Sequence, residues 1–166
     1  MIFVTVGSQV PFDRMINAVE KWAIARGRAK EIIYQIGNGV PPETGEWKRA
    51  LLPEKYNQLC KKADLIVGHA GTGIWMTAAE LGSRLILFPR RFATYHEHRN
   101  EHQYEMCRHV ESTGAVTIAF TEEELFIYLD APDTIKIPIS NGARAEDLHH
   151  ALHMLIDGKP LPPERR

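Results

Sequence analysis

Residues 63–103 read ADLIVGHAGTGIWMTAAELGSRLILFPRRFATYHEHRNEHQ, and few folds accommodate that order. Residues 65–67 are apolar throughout, as in a parallel strand covered on both faces. Gly68, Gly71 and Gly73 then make a turn, and Ile74, Trp75, Ala78, Ala79 and Leu81 follow at helical spacing until Gly82 can end the helix. Residues 85–88 form a second apolar strand, followed by a loop crowded with arginine, histidine and glutamate. A strand, glycine turn and helix in that order offer free backbone N–H groups and the positive end of a helix dipole to a phosphate-sized anion.

The remaining chain supplies more strands and helices of the same kind. Residues 2–6 are a β-branched run ending at Gly7-Ser8, and Phe12, Ile16, Val19 and Ala23 then recur at helical spacing. Residues 31–36 predict a second strand, turned by Gly37-Asn38-Gly39, and residues 48–52 a short third one. Pro53 suits the first turn of a helix through Tyr56, Leu59 and Cys60. Residues 100–112 look helical, residues 115–119 extended, and Thr121 with Glu124 forms a capping box for a helix ending near Leu129. Alternating strands and helices point to one α/β domain over residues 1–166, built on a doubly wound, mostly parallel, Rossmann-like sheet. Residues 130–166 add an extended segment and a last helix with Leu148, Ala151, Leu152 and Leu155 on one face; this end is expected to dock on a partner.

Composition narrows the function classes. Twenty Lys plus Arg against 21 Asp plus Glu give a formal charge of -1, which disfavours a broad nucleic-acid footprint and makes any anion site local. The two cysteines, Cys60 and Cys107, form no C-x-x-C pair and read as buried reduced thiols in a cytoplasmic protein. Residues 2–6 begin a core strand at once without a secretory pattern, and no window approaches the roughly 20 apolar residues that span a bilayer.

Two glycine turns are candidate anion sites: Gly7-Ser8-Gln9 and the stretch from Gly68 to Gly73 containing His69, Gly71 and Thr72. Neither is a P-loop, because no Lys-Ser or Lys-Thr follows, and the second lacks the third glycine of the dinucleotide fingerprint. In a doubly wound sheet the two turns can open onto one crevice, so Ser8 and Thr72 could face the same diphosphate. Beyond the second strand, Arg90, Arg91 and Arg99 offer planar forks for phosphate, while His96, His98, His102 and Gln103 suit sugar hydroxyls. His98 and His102 lie four apart without the H-E-x-x-H order, so no metal site is expected.

With MIFVTVGSQ-PFDR, ADLIVGHAGTG and PRR followed by EHRNEHQ in order, the chain resembles the C-terminal, donor-binding half of glycosyltransferase family 28. Its single-domain members include the small catalytic subunit of the eukaryotic dolichol-linked N-acetylglucosaminyltransferase and similar bacterial exopolysaccharide subunits. The resemblance implies one half of a GT-B fold, using a UDP-sugar as substrate with no cofactor. It places Gly7, Ser8, His69, Gly71, Thr72 and Gly73 on the nucleotide diphosphate, and Gln9, Arg91, His98, Arg99, Asn100, His102 and Gln103 towards the donor sugar. The family's ribose-binding glutamate falls on Thr77 by ungapped counting from His69, with Glu80 one helical turn further on.

The function implied is an inverting, UDP-sugar-dependent glycosyltransferase subunit. It would extend a lipid-linked glycan for exopolysaccharide together with a membrane-anchored, acceptor-binding partner, at the inner face of the membrane. The general base is not identified in this chain beyond the candidate His69, and the partner is the other expected source. A non-catalytic activator of such a partner is the alternative, supported by Thr77. A sugar-nucleotide epimerase fragment is disfavoured by the chain's length.

Overall fold

The computed structural model describes residues 1–8, 10–97 and 100–138. Six strands form one sheet in the order β3-β2-β1-β4-β5-β6, and all five neighbouring pairs are parallel. They are β1 (Ile2–Thr5), β2 (Ile32–Gln35), β3 (Glu46–Lys48), β4 (Leu65–His69), β5 (Leu85–Phe88) and β6 (Thr117–Ile118). The helices are α1 (Asp13–Ala25), α2 (Pro53–Lys62), α3 (Thr72–Leu81), α4 (Phe92–Tyr95), α5 (His102–Glu111) and α6 (Glu122–Asp130). This is the Rossmann strand order, in which the chain reverses its winding direction between β1 and β4.

Period-two alternation divides the buried side chains between the faces of the sheet. Ile2, Val4, Leu65, Val67, Ile86 and Phe88 share one cluster with α1 and α6. Phe3, Ile66, Leu85 and Leu87 share another with residues of α2, α3 and α5. Burial on both faces explains why the central strands read as unbroken apolar runs. Helix α1 buries Met15, Ile16, Val19 and Trp22, each contributing about 2 kcal/mol before conformational entropy is counted. Trp22 Nε1 donates to Asp130 Oδ1 at 2.9 Å, and Arg26 forks onto the same carboxylate, tying α1 to the end of α6.

Helix ends follow local chemistry. Pro53 opens α2, Gly82 closes α3 with φ 66°, and Thr121 Oγ1 accepts the Glu124 N–H at 3.2 Å. The third strand departs from the expected residues 48–52: β3 is Glu46–Lys48, all exposed at the sheet edge. Leu51 and Leu52, which suggested a strand, instead lead into α2, where Leu51 packs on the core and Leu52 stays outside. Residues 115–119 contribute only the two-residue β6 to the ladder. The segment after α6 was expected to be extended; it first makes a 3₁₀ turn at Pro132–Thr134, then runs beside β5, with Leu85 N–H donating to Lys136 O at 3.3 Å. The last helix and tail expected within residues 144–166 lie outside the described residues. No helix among the described residues is long and apolar enough to cross a membrane.

Candidate functional site

The winding reversal sets the two glycine turns side by side, because β1 and β4 pair with Thr5 opposite Gly68 and each runs into its turn at the same edge. Between the turns sits the imidazole of His69. A Cβ added at Gly7 would fall 2.6 Å from its Cε1, and one at Gly71 would strike Nε2. Gly7 also has φ 77°, a conformation that side chains rarely adopt. A side chain at either position would have to displace the His69 ring, and at Gly7 it would be strained by the backbone conformation as well. Gly73, by contrast, has open space where a Cβ would stand.

Two polar side chains fix the first turn from inside, and spacing alone marked neither for that role. Gln35, 4% exposed, accepts the Thr5 hydroxyl at 2.7 Å and donates to Gly7 O at 3.1 Å and Arg49 O at 2.9 Å. Arg90 was expected to reach outwards for phosphate. It is instead 3% exposed, with Nη2 donating to the carbonyls of Val6 and Val10 and its guanidinium carbon 4.8 Å from the Phe12 ring centroid. Burial pushes Arg90 down to about 10, partly opposed by Glu97, so it stays cationic at neutral pH.

A cavity of about 490 Å³ opens beside the turns at the carboxyl ends of β1, β2 and β4. Gly7, Ser8, His69 and Gly73 line one part; Gln35, Asn38, Leu51 and Tyr56 line another. Burial raises the Tyr56 hydroxyl to about 12, opposed by a hydrogen bond with Thr5, so it remains protonated at neutral pH. Arg49 Nη1 donates to the carbonyls of Gly37 and Gly39, both at 3.2 Å, shaping the rim. Thr77 lines the cavity while its hydroxyl donates to Gly73 O at 2.9 Å; Glu80 is exposed and outside the lining.

The polar loop after β5 is held on a scaffold of its own. Arg14 forks onto Glu97 at 2.7 and 2.9 Å, donates to Pro89 O at 3.0 Å, and lies over the rings of Phe88 and Tyr95. Glu97 also accepts the Arg91 N–H at 3.0 Å. The Arg91 guanidinium stacks 3.8 Å from the Tyr104 centroid, with Glu101 3.8 Å away. Gln103 Oε1 accepts the Arg90 N–H at 3.2 Å, which leaves its amide nitrogen as the group available for donation. Asn100 Oδ1 accepts the His102 N–H at 3.3 Å, and His102 is exposed at the start of α5.

The structure thus gathers Gly7, Ser8, His69, Gly73 and Thr77 around one cavity, while Arg91 before α4, Asn100 between α4 and α5, and His102 and Gln103 in the first turn of α5 lie outside its lining. Gly71 and Thr72 belong to the second turn, at the N-terminus of α3. Gln9, His98 and Arg99 lie outside the described residues. Among the described residues, no group of three or more His, Cys, Asp or Glu side chains could hold a metal ion.

Comparison with solved structures gives the same architecture. The chain matches the solution structure of ALG13 at TM-score 0.61 and 19% identity, covering 94% of this chain and 96% of that one. It matches a protein assigned as a UDP-N-acetylglucosamine 2-epimerase from Listeria monocytogenes at 0.55 and 14% identity, covering 99% of this chain and 46% of the other. MurG from Acinetobacter baumannii matches at 0.50 and 17% identity, with coverages of 93% and 48%. The chain therefore spans nearly all of ALG13 but under half of the other two. A search of curated protein sequences found no match. The profile described as Glycosyltransferase family 28 C-terminal domain covers residues 1–133, and the chain accordingly belongs to glycosyltransferase family 28 through this domain.

Proposed function

We propose that this chain is the UDP-sugar-binding, catalytic subunit of a two-component inverting glycosyltransferase. The observation that carries the reading is the contact of both glycine turns with His69 beside a cavity of about 490 Å³, a size suited to a nucleoside. The diphosphate would lie over the turns and the α3 N-terminus. Ser8, Thr72 and Gly73 would offer backbone and hydroxyl donors there, while Gly7 and Gly71, whose N–H groups are taken by Thr5 Oγ1 and His69 O, would leave room beside it, with the nucleoside in the cavity. As the sugar leaves, negative charge grows on the diphosphate, and donors already in place stabilise it at little reorganisation cost. The segment from Arg91 to the first turn of α5, with Arg91, Asn100, His102 and Gln103, would face the sugar, joined by Gln9, His98 and Arg99.

The acceptor-binding half is assigned to a separate, membrane-anchored partner, which would hold this chain at the cytoplasmic face and present a lipid-linked glycan of exopolysaccharide synthesis. That partner would also supply the general base, with His69 the candidate in this chain. Isothermal calorimetry of the full chain with UDP should detect binding that weakens in Thr72→Ala and His69→Ala. Absence of UDP binding, alone and with the partner, would sink the reading. A non-catalytic activator is the second reading. It is favoured by Thr77, whose hydroxyl bonds its own helix, and by the absence of any carboxylate from the cavity's described lining. Transfer by the partner without this chain would decide for it.

A further inference from the structure

The first glycine turn has its carbonyl oxygens tied inwards. Val6 O and Val10 O both accept from Arg90, and Gly7 O accepts from Gln35. Across a trans peptide, C=O and the following N–H point to opposite sides. Drawing in the Gly7 carbonyl therefore turns the Ser8 N–H the other way, and a cation on the Val6 carbonyl polarises the turn backbone beyond it. The Gly7 N–H itself is directed at the buried Thr5 Oγ1, 3.4 Å away.

Arg90 is the sole charged side chain in the buried class among the described residues, and its Nε has no hydrogen-bond partner. The nearby carboxylate, Glu97, places its oxygens on the Arg14 guanidinium and the Arg91 N–H. Arg90 is consequently a buried cation bonded to neutral carbonyls, and such a charge is costly unless an anion comes near.

We propose that Arg90 is a positioning residue for the diphosphate. It never touches the ligand, but it holds the first turn in place through the Val6 and Val10 carbonyls and supplies from beneath the positive charge that favours an anion there. This rests on the UDP-sugar reading and goes beyond it, since a neutral ligand in the same cavity would not feel that charge.

The test compares UDP with uridine by calorimetry on the full chain. In Arg90→Gln, UDP affinity should fall about tenfold while uridine affinity changes less than about twofold; Arg90→Lys, which keeps the charge, should bind UDP within about threefold of the parent. Parallel losses for both ligands would reduce Arg90 to an ordinary structural residue and overturn the proposal, as would unchanged UDP affinity in a folded Arg90→Gln. Should neither variant fold, the Arg90 Nε–H resonance of the parent decides. A shift on adding UDP but not uridine supports the proposal; no shift at saturating UDP overturns it. Failure of the parent to bind UDP would instead remove the donor reading, and this inference with it.

Discussion

Breaking the Arg14–Glu97 pair should loosen the polar loop more than the sheet. The pair is bidentate, and its side chains are only 12% and 11% exposed. Two unit charges about 4 Å apart attract by about 4 kcal/mol at an effective dielectric near 20, but desolvation cancels much of that. Removing one partner leaves the other buried and uncompensated, which typically costs about 3–5 kcal/mol. Arg14→Ala and Glu97→Ala should therefore each lower stability by about 3 kcal/mol in urea unfolding. The double variant should fall short of their sum by about 1–3 kcal/mol, because the second change removes the charge stranded by the first. A coupling below about 0.5 kcal/mol would refute this, showing that Arg14 acts through its contacts with Phe88, Tyr95 and Pro89 O instead. Because Glu97 also anchors the Arg91 N–H, Glu97→Ala should reduce the extra affinity of a UDP-sugar over UDP while leaving UDP itself nearly unchanged.

Two further perturbations probe separate parts of the fold. Gly71→Ala should destabilise by about 1–3 kcal/mol because its methyl meets the His69 ring, whereas Gly73→Ala should keep or raise stability by up to about 1 kcal/mol and still weaken UDP binding; equal melting shifts for the two would count against the geometry of the turn. Hydrogen bonds from Arg26 and then Trp22 lower the Asp130 carboxyl to about 2, so its stabilising contribution is complete above its unfolded value near 3.8 and is lost as pH falls towards 2. The stability gap between the parent and Asp130→Asn should thus be constant above about pH 5 and narrow below it, which acid titration of thermal unfolding would measure.

How much the sequence revealed depended on the distance over which each residue is held. Residues 65–67 and 85–88 announced buried parallel strands because both faces demand apolar side chains. The glycine turns were visible because phosphate-type turns need glycine at short spacing. Strand β3 was displaced because Glu46, Trp47 and Lys48 sit on an exposed edge, where apolar content carries no information. Arg14 carried no signal of its own and Arg90 read as a fork for phosphate; what buries them are partners 83, 84 and 80 positions away, which no local period encodes. Gln35 was hidden similarly: at the end of an apolar strand it resembles a boundary, although it bonds three neighbouring segments.

The position of β1 also bears on how the molecule is made. It precedes β2 to β6 along the chain, yet it lies inside the sheet, and Ile2 pairs with Leu65. Until residues 65–69 have been synthesised, one edge of β1 has no ladder partner, and such an edge can recruit other nascent chains. The contact that finally covers it also brings His69 between Gly7 and Gly71. Closure of the sheet and assembly of the ligand site are then one event, so a compound seated across both turns would slow reopening of the β1–β4 seam and act as a folding chaperone for the whole domain.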